Sequence, residues 1–266
     1  MSTPIALTIA GLDPSGGAGI AADLKTFSAL GVYGAAVATA LTAQNTRGVF
    51  GIHDVPANFI AAQLDAVFSD LAIGAVKIGM LGSAAAIDAV AGALDPYQPR
   101  HTVLDPVMIA SSGQPLLRGT APARLRELIA RVRVLTPNLP EAAALLDTAP
   151  ARDEAEMQAQ AHTLLGLGPG AVLIKGGHGA STESVDILVE ANGETSRFAS
   201  PRIATENTHG TGCTFASAIA AGLAKGLPLE AAVRKAKAYM TAAIAAADQL
   251  GVGGGHGPLH HFHAWW

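Results

Sequence analysis

Two rhythms of apolar residues alternate along this chain. Short uninterrupted apolar runs are separated by longer stretches whose apolar positions fall three and four apart. The first rhythm predicts buried strands and the second predicts helices with one apolar face. Ile5 to Ala10, Ala35 to Leu41, Ala75 to Ile78, Thr102 to Leu104, Val132 to Leu135 and Ala171 to Ile174 are the predicted strands. Ala18 to Leu30 is the first helix, with Ile20, Leu24, Phe27 and Leu30 on one side and Gly31 as its stop. Pro56 to Phe68 follows, then helices over Ala84–Leu94, Ala121–Ala130, Leu139–Leu146 and Glu154–Leu167. Val185 to Glu190 and Glu194 to Phe198 flank Ala191-Asn192-Gly193, whose Asn-Gly pair predicts a hairpin. Phe215–Lys225 and Leu229–Leu250 are the last helices.

Strands that alternate with helices build an α/β fold with a mostly parallel sheet covered on both faces, here with a late antiparallel hairpin at one edge. Ligands in such folds bind beyond the carboxyl ends of the strands. The polar and glycine-rich clusters sit where that rule asks. Gly11 to Gly19 follows the first strand, Gln44-Asn45-Thr46 the second and Gly79-Met80 the third. Asp105-Pro106-Val107 follows the fourth, Thr136-Pro137-Asn138 the fifth and Lys175 to Gly179 the sixth. All six are expected on one rim of a single domain spanning residues 1–266.

Composition narrows the class. The chain has 266 residues, 50% hydrophobic and only 5% aromatic, so an aliphatic core is expected. Its formal charge of −4 and the lack of a basic tract argue against nucleic acid as a partner. One cysteine cannot close an intrachain disulfide, which suits a reducing cytoplasm. Mean hydropathy is +0.34, yet Tyr33 to Ala43 and Phe215 to Ala224 are too short to span a bilayer. Met1 to Gly11 has no basic segment and is too short for a secretory signal, so a cytoplasmic protein with no membrane partner is expected.

The segment Asn207-Thr208-His209-Gly210-Thr211-Gly212-Cys213-Thr214 carries the chemistry. It opens a predicted helix, where unpaired N–H groups and the positive end of the helix dipole suit an anion. Gly210 and Gly212 admit that anion close to the backbone, and Cys213 sits where a thiolate is stabilised. The alternative is a glycine-rich turn with a buried cysteine. The earlier loop Gly11-Leu12-Asp13-Pro14-Ser15-Gly16 has P-loop glycine spacing but continues Gly17-Ala18, so the phosphate lysine and metal hydroxyl of a P-loop are missing. It also lacks the dinucleotide fingerprint G-x-G-x-x-G.

These motifs, taken in order, resemble the bacterial hydroxymethylpyrimidine/phosphomethylpyrimidine kinases of thiamine biosynthesis, within the ribokinase-like superfamily. The likeness runs from Ala6 to Trp266. It includes Ala10–Gly34 (AGLDPSGGAGIAADLKTFSALGVYG), Thr39–Thr46 (TALTAQNT), Lys77–Ser83 (KIGMLGS) and Leu104–Met108 (LDPVM). Thr136–Leu146 (TPNLPEAAALL), Ile174–His178 (IKGGH), Asn207–Thr214 (NTHGTGCT) and Gly257–Trp266 (GPLHHFHAWW) complete it. The resemblance implies a three-layer α/β/α fold and ATP with Mg²⁺. It also implies two successive phosphoryl transfers, first to 4-amino-5-hydroxymethyl-2-methylpyrimidine and then to its monophosphate, in an enzyme that is a homodimer.

Residue roles follow from the same resemblance. Gln44 grips the aminopyrimidine edge, since one carboxamide matches a ring acceptor beside an amine donor. Met80 packs on the ring, and Gly11 and Asp23 hold substrate-site positions. Thr42 stands where some relatives have Val. Backbone amides of Gly210, Thr211, Gly212 and Cys213 hold the moving phosphoryl group, with His209 beside them as a phosphate or substrate contact. Cys213 takes the place of the aspartate base of related sugar kinases, and a lowered thiol pKa at the helix entrance would suit it to the first transfer. Asn138 and Glu141 match the superfamily's N-x-x-E motif, which organises Mg²⁺ through water. The pair also reads as a helix cap, and both readings hold together. Asp105 and Lys175 are candidate phosphate or nucleotide contacts, although a solvated loop lysine is an alternative for Lys175. His256, His260, His261 and His263 tempt a metal reading, but docking of the tail through its aromatics is preferred. Pyridoxal kinase, or a silent ligand-binding domain on the same scaffold, are the rival functions.

Overall fold

The computed structural model describes residues 3–109, 116–177 and 182–266. The strands are β1 (Ile5–Leu12), β2 (Tyr33–Asn45), β3 (Gly48–Asp54), β4 (Ala75–Ile78), β5 (Thr102–Leu104), β6 (Val134–Leu135), β7 (Ala171–Lys175), β8 (Glu183–Glu190) and β9 (Thr195–Pro201). The helices are α1 (Gly19–Ala29), α2 (Ala57–Phe68), α3 (Ala84–Tyr97), α4 (Ala121–Ile129), α5 (Leu139–Leu146), α6 (Glu154–Leu165), α7 (Thr211–Ala224) and α8 (Leu229–Ala245).

Among the described residues the strands form one sheet in the order β3-β2-β1-β4-β5-β6-β7-β8-β9. The six strands from β2 to β7 in that order run parallel, while β8 and β9 form the expected antiparallel edge. Both faces are buried, which explains the uninterrupted apolar runs. Leu7, Ile9, Val76, Ile78, Leu104 and Ile174 pack towards α2–α6, while Ala6, Ala75, Val103, Val134 and Leu173 pack towards α1, α7 and α8. The side under α7 is built of small residues on both partners, including Ala216 and Ala220, so this helix lies close on the sheet. Its N-terminus therefore reaches the rim at the carboxyl ends of the parallel strands.

Two elements depart from expectation in ways that matter for the rim. β2 does not stop at Leu41. It continues to Asn45 and turns through Thr46-Arg47 into β3, which pairs antiparallel with it at the second edge. The turn has no glycine at its centre and Gly48 and Gly51 interrupt the apolar pattern, so the hairpin signal is weak in sequence. The second departure is α7, which begins at Thr211 rather than Phe215. Thr211, Gly212 and Cys213 are thus its first turn, not a loop before it. No helix of the described residues is long and apolar enough to cross a membrane.

Candidate active site

β1 passes to β2 on one side and, later in the chain, β4 lies on its other side, so the strand order reverses beside β1. Such a switch point opens a crevice at the strand ends. A cavity of about 640 Å³ lies there. Each of the six rim clusters contributes to its wall, through Gly11, Gln44, Met80, Asp105, Asn138 and Lys175. Of the last cluster, His178 and Gly179 lie outside the described residues.

Thr208 to Cys213 close the middle of the cavity. Gly210 is the N-cap of α7, with φ +81°, and a Cβ there would sit 1.9 Å from Gly17 O. Only glycine meets both demands, so the helix entrance seats directly on the first loop. No side chain caps this helix, which leaves its first N–H groups facing the cavity. Beside Gly212, Asp105 and Lys175 form an ion pair of 2.6 Å, and Glu141 Oε2 is 3.9 Å from the same ammonium. Burial opposes the charge on Lys175, but Asp105 and Glu141 outweigh it and hold the ammonium above its usual range. Lys175 is therefore a fixed cation of the site, not a solvated loop lysine.

Asn138 and Glu141 form a complete capping box at α5, in which Asn138 Oδ1 accepts from Glu141 N–H and Glu141 Oε2 accepts from Asn138 N–H, each at 2.8 Å. Burial pushes the Glu141 carboxyl up to about 7, and Asp105 adds to this against the pull of Lys175 and the Asn138 N–H. An arriving cation would relieve that strain. The described residues hold no cluster of three or more His, Cys, Asp or Glu side chains that makes a metal cage. Two nearby carboxylates with room for water and phosphate suit Mg²⁺, which keeps several waters and shares phosphate oxygens.

At the ends of β1 and β4, Met80 lies against Gly11, where a Cβ would come 3.2 Å from its sulfur. Gln44 and Thr42 face the cavity from the extension of β2. A sequence profile described as phosphomethylpyrimidine kinase matches residues 13–260. Over 262 residues the chain is 56% identical to the hydroxymethylpyrimidine/phosphomethylpyrimidine kinase of Escherichia coli, covering 98% of each chain. The chain belongs to the phosphomethylpyrimidine kinase family.

Solved structures agree. The phosphomethylpyrimidine kinase of Clostridium difficile is 44% identical, covers 90% of this chain and 99% of its own, and superposes with a TM-score of 0.80. An ADP complex of Bacillus subtilis pyridoxal kinase is 34% identical, with 99% of each chain covered and a TM-score of 0.90. The expected three-layer, ribokinase-like architecture is borne out.

Within this phosphomethylpyrimidine kinase fold, three expectations need correction. Asp23 is not on the cavity wall. It is fully buried, where it accepts from Thr8 Oγ1 at 2.6 Å and Ser217 Oγ at 2.7 Å and pairs with Lys77 Nζ at 2.8 Å. Ser217 is one helical turn past Cys213, so the pair lies beneath the thiol and braces α7 against β1 and β4. A buried pair of this kind is costly to break, since either partner alone is an uncompensated charge.

Cys213 is the second correction. The helix entrance does not lower its pKa in this structure. Burial pushes the thiol up to about 11; Lys77 and the N–H of Gly19 favour the thiolate, while Asp23 and Asp105 oppose it. The third concerns the tail. Leu259, His260 and His261 are its buried anchors, whereas Trp265 and Trp266 are exposed. Leu259 and two histidines, not the tryptophans, dock the tail. His209 does line the cavity, but its Nε2 is 2.8 Å from Asp13 Oδ2 and is therefore not a free phosphate donor.

The far end of the cavity leaves no mark in the sequence. Ile203, Met240 and Ile244 form an apolar patch there. Nearby, Asp186 accepts the Gly176 N–H at 3.0 Å and pairs with Lys237 at 2.7 Å, which fixes the start of the loop after β7. These positions come from β8, α8 and the flank of β9, with ordinary helix and strand periodicity, so nothing in the sequence pattern separates them from core.

Proposed function

We infer that this chain transfers the γ-phosphoryl group of ATP to 4-amino-5-hydroxymethyl-2-methylpyrimidine, and a second one to the monophosphate so formed. The diphosphate is the pyrimidine unit for thiamine. One observation carries the reading: the uncapped first turn of α7 and the carboxamide of Gln44 face the same cavity, so an anion cradle and a heteroaromatic grip share one space.

ATP is the proposed donor, with its base against Ile203, Met240 and Ile244 and its phosphates towards Lys175 and the amides of Thr211, Gly212 and Cys213. Asp105 and Glu141 would hold Mg²⁺ through water. When bound, that ion neutralises charge on the phosphate oxygens. Transfer of this kind relies on positioning and electrostatic stabilisation, which fixed amides and a buried ammonium supply. Gln44 and Met80 set the acceptor opposite.

The two acceptors make different demands. The alcohol must lose its proton as the new P–O bond forms. Cys213 is placed to receive it, after its own thiol proton has gone to solvent. The monophosphate is already largely ionised near neutral pH and needs no base. The test is a mass-spectrometric time course of enzyme, ATP, Mg²⁺ and the pyrimidine. Monophosphate followed by diphosphate is expected. Release of ADP without a phosphorylated pyrimidine would overturn the reading.

Likeness to the pyridoxal kinase fold favours pyridoxal as a second substrate class, read by the same assay. We also propose a homodimer. Tyr33, Leu41 and Phe50 are exposed apolar side chains along the β2–β3 edge. Light scattering should give twice the chain mass, and a monomer at micromolar concentration would refute the dimer.

A further inference from the structure

The carboxamide of Gln44 is held at both ends. Its Oε1 faces Thr42 Oγ1 at 3.1 Å and its Nε2 faces His209 Nε2 at 3.4 Å. The heavy-atom outline of an amide does not distinguish oxygen from nitrogen; the hydrogens of its neighbours do.

On one side stands Asp13. It accepts from Ser15 N–H at 2.8 Å, Ser15 Oγ at 2.7 Å and Ala18 N–H at 3.0 Å, and lies 2.8 Å from His209 Nε2. Burial works against its charge, but hydrogen bonds from His209 and Ser15 outweigh burial and hold the carboxyl below its usual range. An ionised carboxylate at that distance takes the hydrogen of His209 Nε2, which leaves this nitrogen without a lone pair to accept from the Gln44 amide. On the other side, Thr42 Oγ1 has one hydrogen and a backbone carbonyl, Leu12 O, at 2.9 Å. The carbonyl can only accept, so it takes that hydrogen and leaves Thr42 Oγ1 as an acceptor. An amide nitrogen towards His209 would set N–H against N–H, whereas Thr42 Oγ1 is free to accept, so the contacts fit the amide turned over: oxygen towards the N–H edge of His209, nitrogen towards Thr42.

We propose that Thr42 and His209 lock the polarity of the Gln44 amide in this turned sense, and that the lock selects an amino-substituted acceptor ring over an aldehyde-substituted one. The inference rests on the pyrimidine reading given above and deepens it. His209 immediately precedes Gly210 of the cradle, so the carbonyl end of the amide is the end nearer the transferring group. In the pyrimidine, the ring carbon next to the reacting hydroxymethyl arm carries an amine, which donates to that carbonyl. In pyridoxal the same position carries an aldehyde, whose oxygen only accepts. A locked carbonyl opposes the aldehyde lone pair against lone pair. An amide free to turn would offer its N–H instead and bind either ring. Thr42 is thus a positioning residue that reads substrate through Gln44.

The test compares kcat/KM for the pyrimidine and for pyridoxal in wild type, Thr42→Val and Thr42→Ser, with the KM for ATP as control. Valine keeps the shape and removes the hydroxyl. It is expected to raise KM for the pyrimidine with little change in kcat, to improve pyridoxal, and to cut the preference about tenfold, as loss of one directed hydrogen bond does. Serine should restore the preference. Thr42→Ala reads the same ratio should the valine protein fail to fold. A preference unchanged from wild type, or an equal loss on both substrates, would overturn the lock. Wild type that phosphorylates pyridoxal but not the pyrimidine would overturn the functional reading itself, and the lock with it.

Discussion

Cys213 shows how a single side chain is governed by competing fields. The ammonium of Lys77 and the N–H of Gly19 favour its thiolate, but burial and the carboxylates of Asp23 and Asp105 prevail, and the thiol stands at about 11. Its reactivity follows. It is the chain's one cysteine, so alkylation by iodoacetamide reads it without interference. The rate should be slow near pH 7.5 and climb about tenfold per pH unit to beyond pH 10, because the thiolate is the nucleophile. A plateau by pH 9 would contradict this environment. The sequence places Cys213 at a helix entrance, but the carboxylates around it come from α1 and from the end of β5, remote in the chain. Asp23 shows the same limit from the other side. Its family position suggested substrate contact, whereas Lys77, whose burial no local pattern reveals, draws it under the floor of the site.

At the scale of elements, the strands and helices were largely legible, since both-face burial and helical spacing leave direct marks. Their ends were not. β3 and the true start of α7 depend on pairing and seating that only the assembled sheet supplies. The C-terminal tail is a third such element. Thr214 Oγ1 lies 3.0 Å from His261 Nε2, and Tyr239 Oη donates to His261 O at 2.7 Å, so the tail clamps α7 beside Cys213. Burial drops the His261 imidazole to about 4, with Lys25 and His260 adding to the effect. Between pH 6.5 and 4 the unfolded chain therefore takes up a proton that the folded chain refuses. Stability should be whole above pH 6.5 and fall on acidification through that window, by on the order of 3 kcal/mol at most from this group. Other groups titrate there too, so the readout is a difference. Urea denaturation of wild type and His261→Gln at pH 6.5 and 4.5 should show a smaller acid loss in the variant. Equal losses would mean that His261 is not buried in its neutral form.

For the whole molecule, the sheet's reversal beside β1 and the close packing of α7 place the uncapped first turn of α7, the Lys175 cation and the Gln44 carboxamide around one crevice. The sequence order of polar clusters after successive strands foretold that convergence. The sequence does not mark the apolar far end of the cavity, built by α8 and the flank of β9, because those residues look like ordinary core. In the proposed reading one crevice serves both transfers, the first to an alcohol that must lose a proton and the second to a phosphate that is already ionised. Single-turnover rapid-quench kinetics of wild type and Cys213→Ala, with the pyrimidine and with its monophosphate as acceptors, separate the two steps. Loss of a general base should slow the first transfer by about 100-fold or more and the second by less than about tenfold. Equal slowing of both, or a first transfer left at the wild-type rate, would contradict the assignment of Cys213 and the division of labour built on it.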